Sequence, residues 1–269
     1  MFTPFHVAAT GLNAFEQEFL DITNNLSNAQ TVGFKRGSTQ KESLFFVEPS
    51  FRQQMTSAMA EQGLDEPPPV DVRFGSGVRI SSTPRDFSQG ILQVTKNPLT
   101  IAIEGDGFLQ VKQADGSVAY TRAGNLQLDA DGSLVDPNGH LLDPAIQIPQ
   151  GTTQITISPQ GVVSVSINNS LRLTQVGQIQ LSRFTNPAGL KNIGLNLYQA
   201  TVASGDPLLG VPGQDGFGTV TQFALEGSNV DVISELARML ISQRVFDTIT
   251  KAVQTYEQML TSLDRIRQG

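Results

Sequence analysis

Few side chains in this sequence stand in patterns that could do chemistry. Asp129, Asp131 and Asp136 fall in the stretch DADGSLVD, where three nearby carboxylates could suggest a calcium loop. A calcium loop of the helix–loop–helix kind needs a further oxygen ligand before its glycine and a bidentate Glu at its end. Both are missing, so an Asp-Gly turn between strands is expected. Gly105 and Gly107 in GDGF, and Gly75 and Gly77 in GSGV, lack the third glycine of a dinucleotide loop and precede no helical pattern. His6 lies in a helical segment and His140 in a turn-like one, which does not suggest a shared metal. There is no cysteine, which excludes disulfides, thiolate nucleophiles and cysteine-bound zinc. Serine-nucleophile, zinc-protease and phosphate-loop motifs are absent. The expectation is no catalytic residue, no cofactor and no metal, although acidic pairs on a β body keep a glycan-hydrolysing reading open.

The elements are better organised than the chemistry. Hydrophobic residues make up 39% of 269, enough for a substantial core, while 25 Gly and 14 Pro lean toward a turn-rich β body. A net charge of −7 repels phosphate backbones, so nucleic acid is not an expected partner. No run of about 18 apolar residues is present, so no membrane insertion is expected. Met1–Leu12 shows neither a basic n-region nor a long apolar h-region, so export would use a route without a cleavable signal peptide.

The first ~30 residues read as one helix, with Thr3 as N-cap and Pro4 at the first helical position. Phe5, Ala8, Leu12, Phe15, Phe19, Ile22, Leu26 and Ala29 follow one another in alternating steps of 3 and 4. That seven-residue repeat favours a supercoiled seam, the alternative being a surface helix on an ordinary core. Asn24, Asn25, Asn28 and Gly33 then supply stop and turn residues. The chain's other end mirrors the first. Ser228 followed three residues later by Asp231 forms a capping-box pattern, and Ile233, Leu236 and Leu240 begin an apolar stripe. Phe246, Ile249, Val253, Tyr256, Leu260 and Leu263 resume it after a six-residue step, so the seam slips between Leu240 and Phe246.

Between the helices, Leu44–Arg73 is polar and marked by Pro67, Pro68 and Pro69, and reads as an extended excursion. From about residue 75 to 225, short alternating runs are bounded by Gly, Asp and Asn. Hairpins are expected across Asp115-Gly116, Asp131-Gly132 and Pro159-Gln160-Gly161, with a further strand near Ile179–Leu181. The fold class is therefore α+β: long N- and C-terminal helices pairing as a coiled coil, with an inserted, mainly antiparallel β domain. Termini fray unless tied down, and each helix alone would leave its stripe wet, so the apolar surface left over invites neighbouring copies of the chain. Contacts of that kind that do not close build a tube.

Three stretches carry a resemblance. Gly11–Arg36 holds Gly11-Leu12, Asn24-Asn25-Leu26-Ser27-Asn28 and Gly33-Phe34-Lys35; Gly227–Leu260 holds Ser228-Asn229-Val230-Asp231, Gln243-Arg244 and Lys251-Ala252-Val253. The middle adds Phe74–Gly90, Ile101–Val111 and Tyr120–Leu142. In this order they resemble the flagellar rod and hook protein family, with Ser27 where that family usually has Ala. Length and body are most similar to its distal rod branch, with proximal rod and hook subunits as rivals. The resemblance implies a structural, non-enzymatic subunit that self-assembles into a helical, tubular drive shaft crossing the periplasm and transmitting torque. It implies partners as well: proximal rod and hook subunits, peptidoglycan and outer-membrane ring proteins, and the flagellar type III export apparatus. It also implies a division into an inner-tube helix (1–34), a rod-specific extended segment (35–74), a β-rich outer domain (75–225) and a C-terminal inner-tube helix (226–269). A secreted β-domain enzyme acting on peptidoglycan and a coiled-coil-anchored surface adhesin are the rival classes.

Overall fold

The computed structural model describes residues 4–47, 74–167 and 172–268. Most of the Leu44–Arg73 excursion, and Thr3, lie outside the described residues. Two long helices, α1 (Pro4–Ser27) and α2 (Val232–Gln268), flank a series of short strands, and every strand pair is antiparallel. The chain forms two compact units. One comprises Met1–Thr23, Ser38–Thr83 and Leu236–Gly269; the other comprises Asn24–Gly37 and Pro84–Glu235.

In the first unit α1 and α2 touch. The rings of Phe5 and Tyr256 meet edge-on at 5.2 Å, and the place where Gly11 would carry a Cβ lies 3.7 Å from Ile249 Cδ1. A methyl group at that position would make only an ordinary van der Waals contact, so a small side chain is compatible with the approach while a long one is not. Another side of α1 is tied to a ladder formed by Gln40–Ser43 and Val78–Ser82. Lys41 Nζ reaches Glu18 at 2.5 Å and stacks 3.7 Å over the Phe15 ring; Thr39 donates to Asp21; Val78 N donates to Thr10 Oγ1 at 3.4 Å. Phe46–Val47 pairs with Phe74–Gly75, so the ladder reaches both ends of the excursion.

The second unit is built on its hairpins. Phe108–Lys112 pairs with Val118–Thr121 across Gly116, whose φ of 83° is cheap only for glycine. Gln127–Leu128 pairs with Leu134–Val135, and Thr152–Ile157 with Val162–Ile167. All three turns stand where the Gly-containing motifs place them. The largest sheet runs Lys191–Gly194, Leu197–Gln199, Val118–Thr121, Phe108–Lys112, Leu141–Asp143, Leu134–Val135, Gln127–Leu128, with Leu181–Arg183 and Leu208–Gly210 attached through Phe108–Lys112. Ile101, Ile103, Leu109, Val111, Leu126, Leu142, Val163, Ile179 and Leu181 form its core. Burying each such side chain contributes about 1.5–3 kcal/mol. A smaller aromatic cluster joins Phe87, Phe108, Tyr120, Phe184 and Tyr198 in edge-to-face contacts, and burial pushes the Tyr198 phenol up to about 12.

One local expectation is corrected. The N-cap of α2 is Asp231, not Ser228. The Asp231 carboxylate accepts from Ile233 N at 3.2 Å and from the Ser234 hydroxyl at 2.5 Å. Ser228 Oγ accepts only locally, from Val230 N, and is itself buried. The helix starts where a carboxylate can reach its second amide, and Ser228 lies three residues too early.

Candidate functional site

The motif residues converge in the second unit. α1 ends at Ser27, and Asn28 closes it: its backbone N–H is shared between the carbonyls of Asn24 and Asn25, and its side-chain amide returns to Asn24 O at 2.9 Å. Gly33 then turns the chain at φ 69°, donating to Glu226 O at 2.8 Å. A Cβ on Gly33 would lie 2.7 Å from Ala123 N, so only glycine fits. Phe34 is buried beneath the Arg85 guanidinium, 5.3 Å from its ring centre.

Beyond that turn lies a buried ionic cluster. Lys35 Nζ donates to Glu226 Oε1 at 2.6 Å and to Ser88 O at 2.7 Å. Gly90 N donates to the same Glu226 oxygen, and Arg122 approaches the other at 3.4 Å. Burial lowers the pKa of Lys35 and of Arg122; the Glu226 carboxylate opposes both shifts and keeps both cations favourable. Arg122 also stacks 5.2 Å over the Phe108 ring, and its Nε has no hydrogen-bond partner among the described residues.

A second group adjoins in sequence. Arg36 Nε meets Glu235 Oε1 at 2.5 Å, and Arg36 N donates to Asn229 Oδ1 at 2.8 Å. Asn229 Nδ2 donates to Asp86 O, Ser88 O and Ser88 Oγ. Asn25 is buried and exchanges two 2.9 Å bonds with the Gly37 backbone, while its amide also reaches Glu235 at 3.4 Å. The motif residues Gly33 and Lys35 thus meet Glu226, Asn25 meets Glu235, and Asn229 meets Arg36, across the length of the chain. Sequence reading missed Glu226, Glu235 and Arg122. Their only signal was position, inside stretches already marked by the resemblance. Both carboxylates here are occupied, Glu226 by Lys35 and Arg122 and Glu235 by Arg36, so the arrangement suits anchoring.

The apolar helix residues divide differently. Ile22 is buried, and Phe5, Leu12, Phe15, Leu26, Ile249, Val253 and Tyr256 are half-buried. Phe19, Ile233, Leu236, Leu240, Phe246, Leu260 and Leu263 stay exposed. In the first unit Phe15, Phe19 and Phe246 line an open groove of about 500 Å³, with Glu16, Ser242, Gln243 and Asp247. The slip between Leu240 and Phe246 has a geometric meaning. Nine residues separate Leu240 from Ile249. At about 100° per residue, that places them on opposite sides of α2. Ile249 faces Gly11 of α1, whereas Leu236 and Leu240 face away from it.

Asp136, one of the three carboxylates first considered, is buried and accepts from Asn138 N, His140 N and His140 Nδ1 within its hairpin turn. Among the described residues no group of three or more His, Cys, Asp or Glu side chains is placed to hold a metal ion, and no helix is long and apolar enough to cross a membrane.

Comparison with known proteins gives the same direction along the whole chain. Residues 102–165 match the family model for the flagellar hook protein FlgE/F/G D1 domain, and residues 221–266 that for the flagellar basal body rod FlgEFG protein C-terminal region. The chain is similar to the flagellar basal-body rod protein FlgG of Buchnera aphidicola subsp. Schizaphis graminum, 39% identical over 97% of this chain and 98% of that one. It is similar to the FlgG of Caulobacter vibrioides, 38% identical over 97% of each chain. The flagellar hook-basal body complex protein FlhP of Bacillus subtilis is 30% identical over 97% of each.

Proposed function

The chain belongs to the flagellar basal-body rod protein family, and we propose that it is a structural subunit of the distal rod that self-assembles into a rigid tube and transmits torque from motor to hook. The observation that carries this reading is similarity to FlgG over nearly the full length of both chains. It is supported by the two terminal helices, which leave Leu236, Leu240, Phe246 and Leu263 wet in a single copy. Residues 1–34 and 226–269 would supply the inner tube, 35–74 a rod-specific segment and 75–225 the outer layer. The heptad pattern supports supercoiled pairing of α1 with α2, and the Phe5–Tyr256 contact is consistent with it. Stiffness would follow from close packing between subunits, since packed interiors compress little.

The partners on this reading are copies of the chain, proximal rod and hook subunits, peptidoglycan and outer-membrane ring proteins, and the flagellar export apparatus. The place is the basal body, crossing the periplasm. The test is genetic and visual. Chains lacking Met1–Thr31 or Val232–Gly269 should abolish motility and rod completion, and a tagged full chain should label the distal rod in isolated basal bodies. Normal rods from either truncation would sink the reading. Label confined to the proximal rod or hook would move it to those subunits.

A further inference from the structure

We propose that the second unit carries a groove for an acidic polysaccharide strand, in which the Phe223 ring stacks on a sugar and Lys96 meets a carboxylate of the same strand. Phe223 has φ +60°, in the left-handed region, where a bulky side chain is an outlier. Two backbone hydrogen bonds hold it there: Phe223 N donates to Thr100 O at 3.0 Å, and Phe223 O accepts from Thr95 N at 2.7 Å. It is the single residue at which the chain changes partner, Thr219–Gln222 pairing with Ile101–Glu104 and Ala224–Glu226 with Leu92–Val94. Glycine or asparagine would suit that backbone better. The chain places a phenylalanine there instead, and leaves 41% of it exposed. Strain kept beneath an exposed ring is the pattern of a ligand contact and not of core packing.

Phe223 lines an open groove of about 490 Å³ with Lys96, Pro98, Gln154, Thr156 and Gln222. Lys96 is the one charged residue of that lining, and it has no ion pair among the described residues. The side chains of Gln154 and Thr156 make no hydrogen bond among the described residues either. The groove therefore offers an aromatic face, an amide, a hydroxyl and a cation. A pyranose has an apolar C–H face and a rim of hydroxyls, which match the first three, and a carboxylate on the strand matches the fourth. An extended peptide fits worse. It would add to the free edge of Thr152–Ile157, but Gln222 already fills that edge. Its side chain accepts from Ile157 N at 2.9 Å and donates to Ile155 O at 3.0 Å. The same amide donates to Pro98 O at 2.7 Å, which fixes one wall of the groove to the other.

The test is isothermal titration of the full chain, held where light scattering shows single copies. Three probes separate the chemistries: peptidoglycan glycan strands freed of their peptides, whose muramic residues carry a carboxylate; chitohexaose, a neutral sugar; and polyglutamate, an acid without sugar. The glycan strands should bind, chitohexaose more weakly, and polyglutamate not at all. Lys96→Ala should weaken the strands about threefold and leave chitohexaose unchanged. Phe223→Asn should weaken both sugars about tenfold, and Phe223→Tyr should retain them. Asparagine tolerates the left-handed backbone, so Phe223→Asn should keep the thermal midpoint at or above that of the wild type. If that variant does not fold, Lys96→Ala carries the test, and an equal loss for the neutral sugar counts against the groove. Failure of both sugars to bind, polyglutamate binding as tightly as the strands, or Phe223→Asn lowering the midpoint with sugar binding intact overturns the proposal. The titration is independent of the rod reading, which basal-body labelling decides.

Discussion

Lys35 Nζ lies 2.6 Å from Glu226 Oε1, and neither side chain has any exposed surface. The turn after α1 and the strand before α2 are therefore joined by a pair that water cannot screen. Lys35→Met should destabilise the folded chain by about 3 kcal/mol, the usual result of leaving one buried partner behind. Glu226→Gln should cost more, because it strands Arg122 as well as Lys35. Urea unfolding of the two variants checks the order, and equal losses would contradict the shared-carboxylate arrangement.

Asn229 tests the second group. Asn229→Asp keeps the acceptor for Arg36 N but replaces the donor to Asp86 O and Ser88 O with a charged oxygen. The expected loss is about 1 kcal/mol, from the donor lost to the Asp86 carbonyl, since Ser88 O keeps its bond from Lys35, and it should appear as a lowered Tm. A Tm equal to that of the wild type would show that the donor half contributes nothing.

Gly11 separates fold from contact. A Cβ there would rest 3.7 Å from Ile249 Cδ1, an ordinary distance. Gly11→Ala should therefore leave the helices in place and stabilise α1 by about 0.5–1 kcal/mol. Gly11→Leu should force α1 and α2 apart and reduce polymer formation. Helicity read by circular dichroism, together with polymer yield, distinguishes the two; a loss of helicity in Gly11→Ala would contradict the spacing.

Asp231 gives a pH dependence with a definite sign. Hydrogen bonds from Ser234 and from the Ile233 amide hold its carboxyl below the ordinary value of 3.8. The unfolded chain thus takes up the proton at higher pH than the fold does. The capping contribution is complete above the ordinary value and is lost as pH falls through the lower, folded one. The start of α2 should fray in that acidic window, and Asp231→Asn, a good neutral cap, should remove the pH step. Amide exchange at Ile233 and Ser234 reports it.

What could be read from the sequence was local. Asp115-Gly116 and Asp131-Gly132 fix their hairpins because a positive φ at glycine is decided by neighbours in the chain. Gly33 stood out for the same reason. Glu226 and Arg122 gave no such signal: their partners are 191 and 104 residues away, and no periodicity encodes a pairing of that range. The N-cap went to Ser228 because the pattern Ser-x-x-Asp is sound in itself. Which of the two capping residues, three apart, starts the helix depends on tertiary context: Ser228 is buried and Asp231 is free to reach the first turn. The change of face at Leu240 was visible as a slip in spacing, but its meaning needed the position of Ile249 against Gly11.

The 191-residue separation of Lys35 and Glu226 also orders events in time. Closing a loop of that length costs about 4–5 kcal/mol of chain entropy before any contact rewards it. Hydrogen bonds to Gly33, Lys35 and Arg36 wait for residues near the C-terminal end of the chain. A chain truncated before Glu226 cannot close the cluster at all, however well its hairpins form. The cluster thus reports how far the chain extends, closing in full only in copies that reach Glu226 and Glu235.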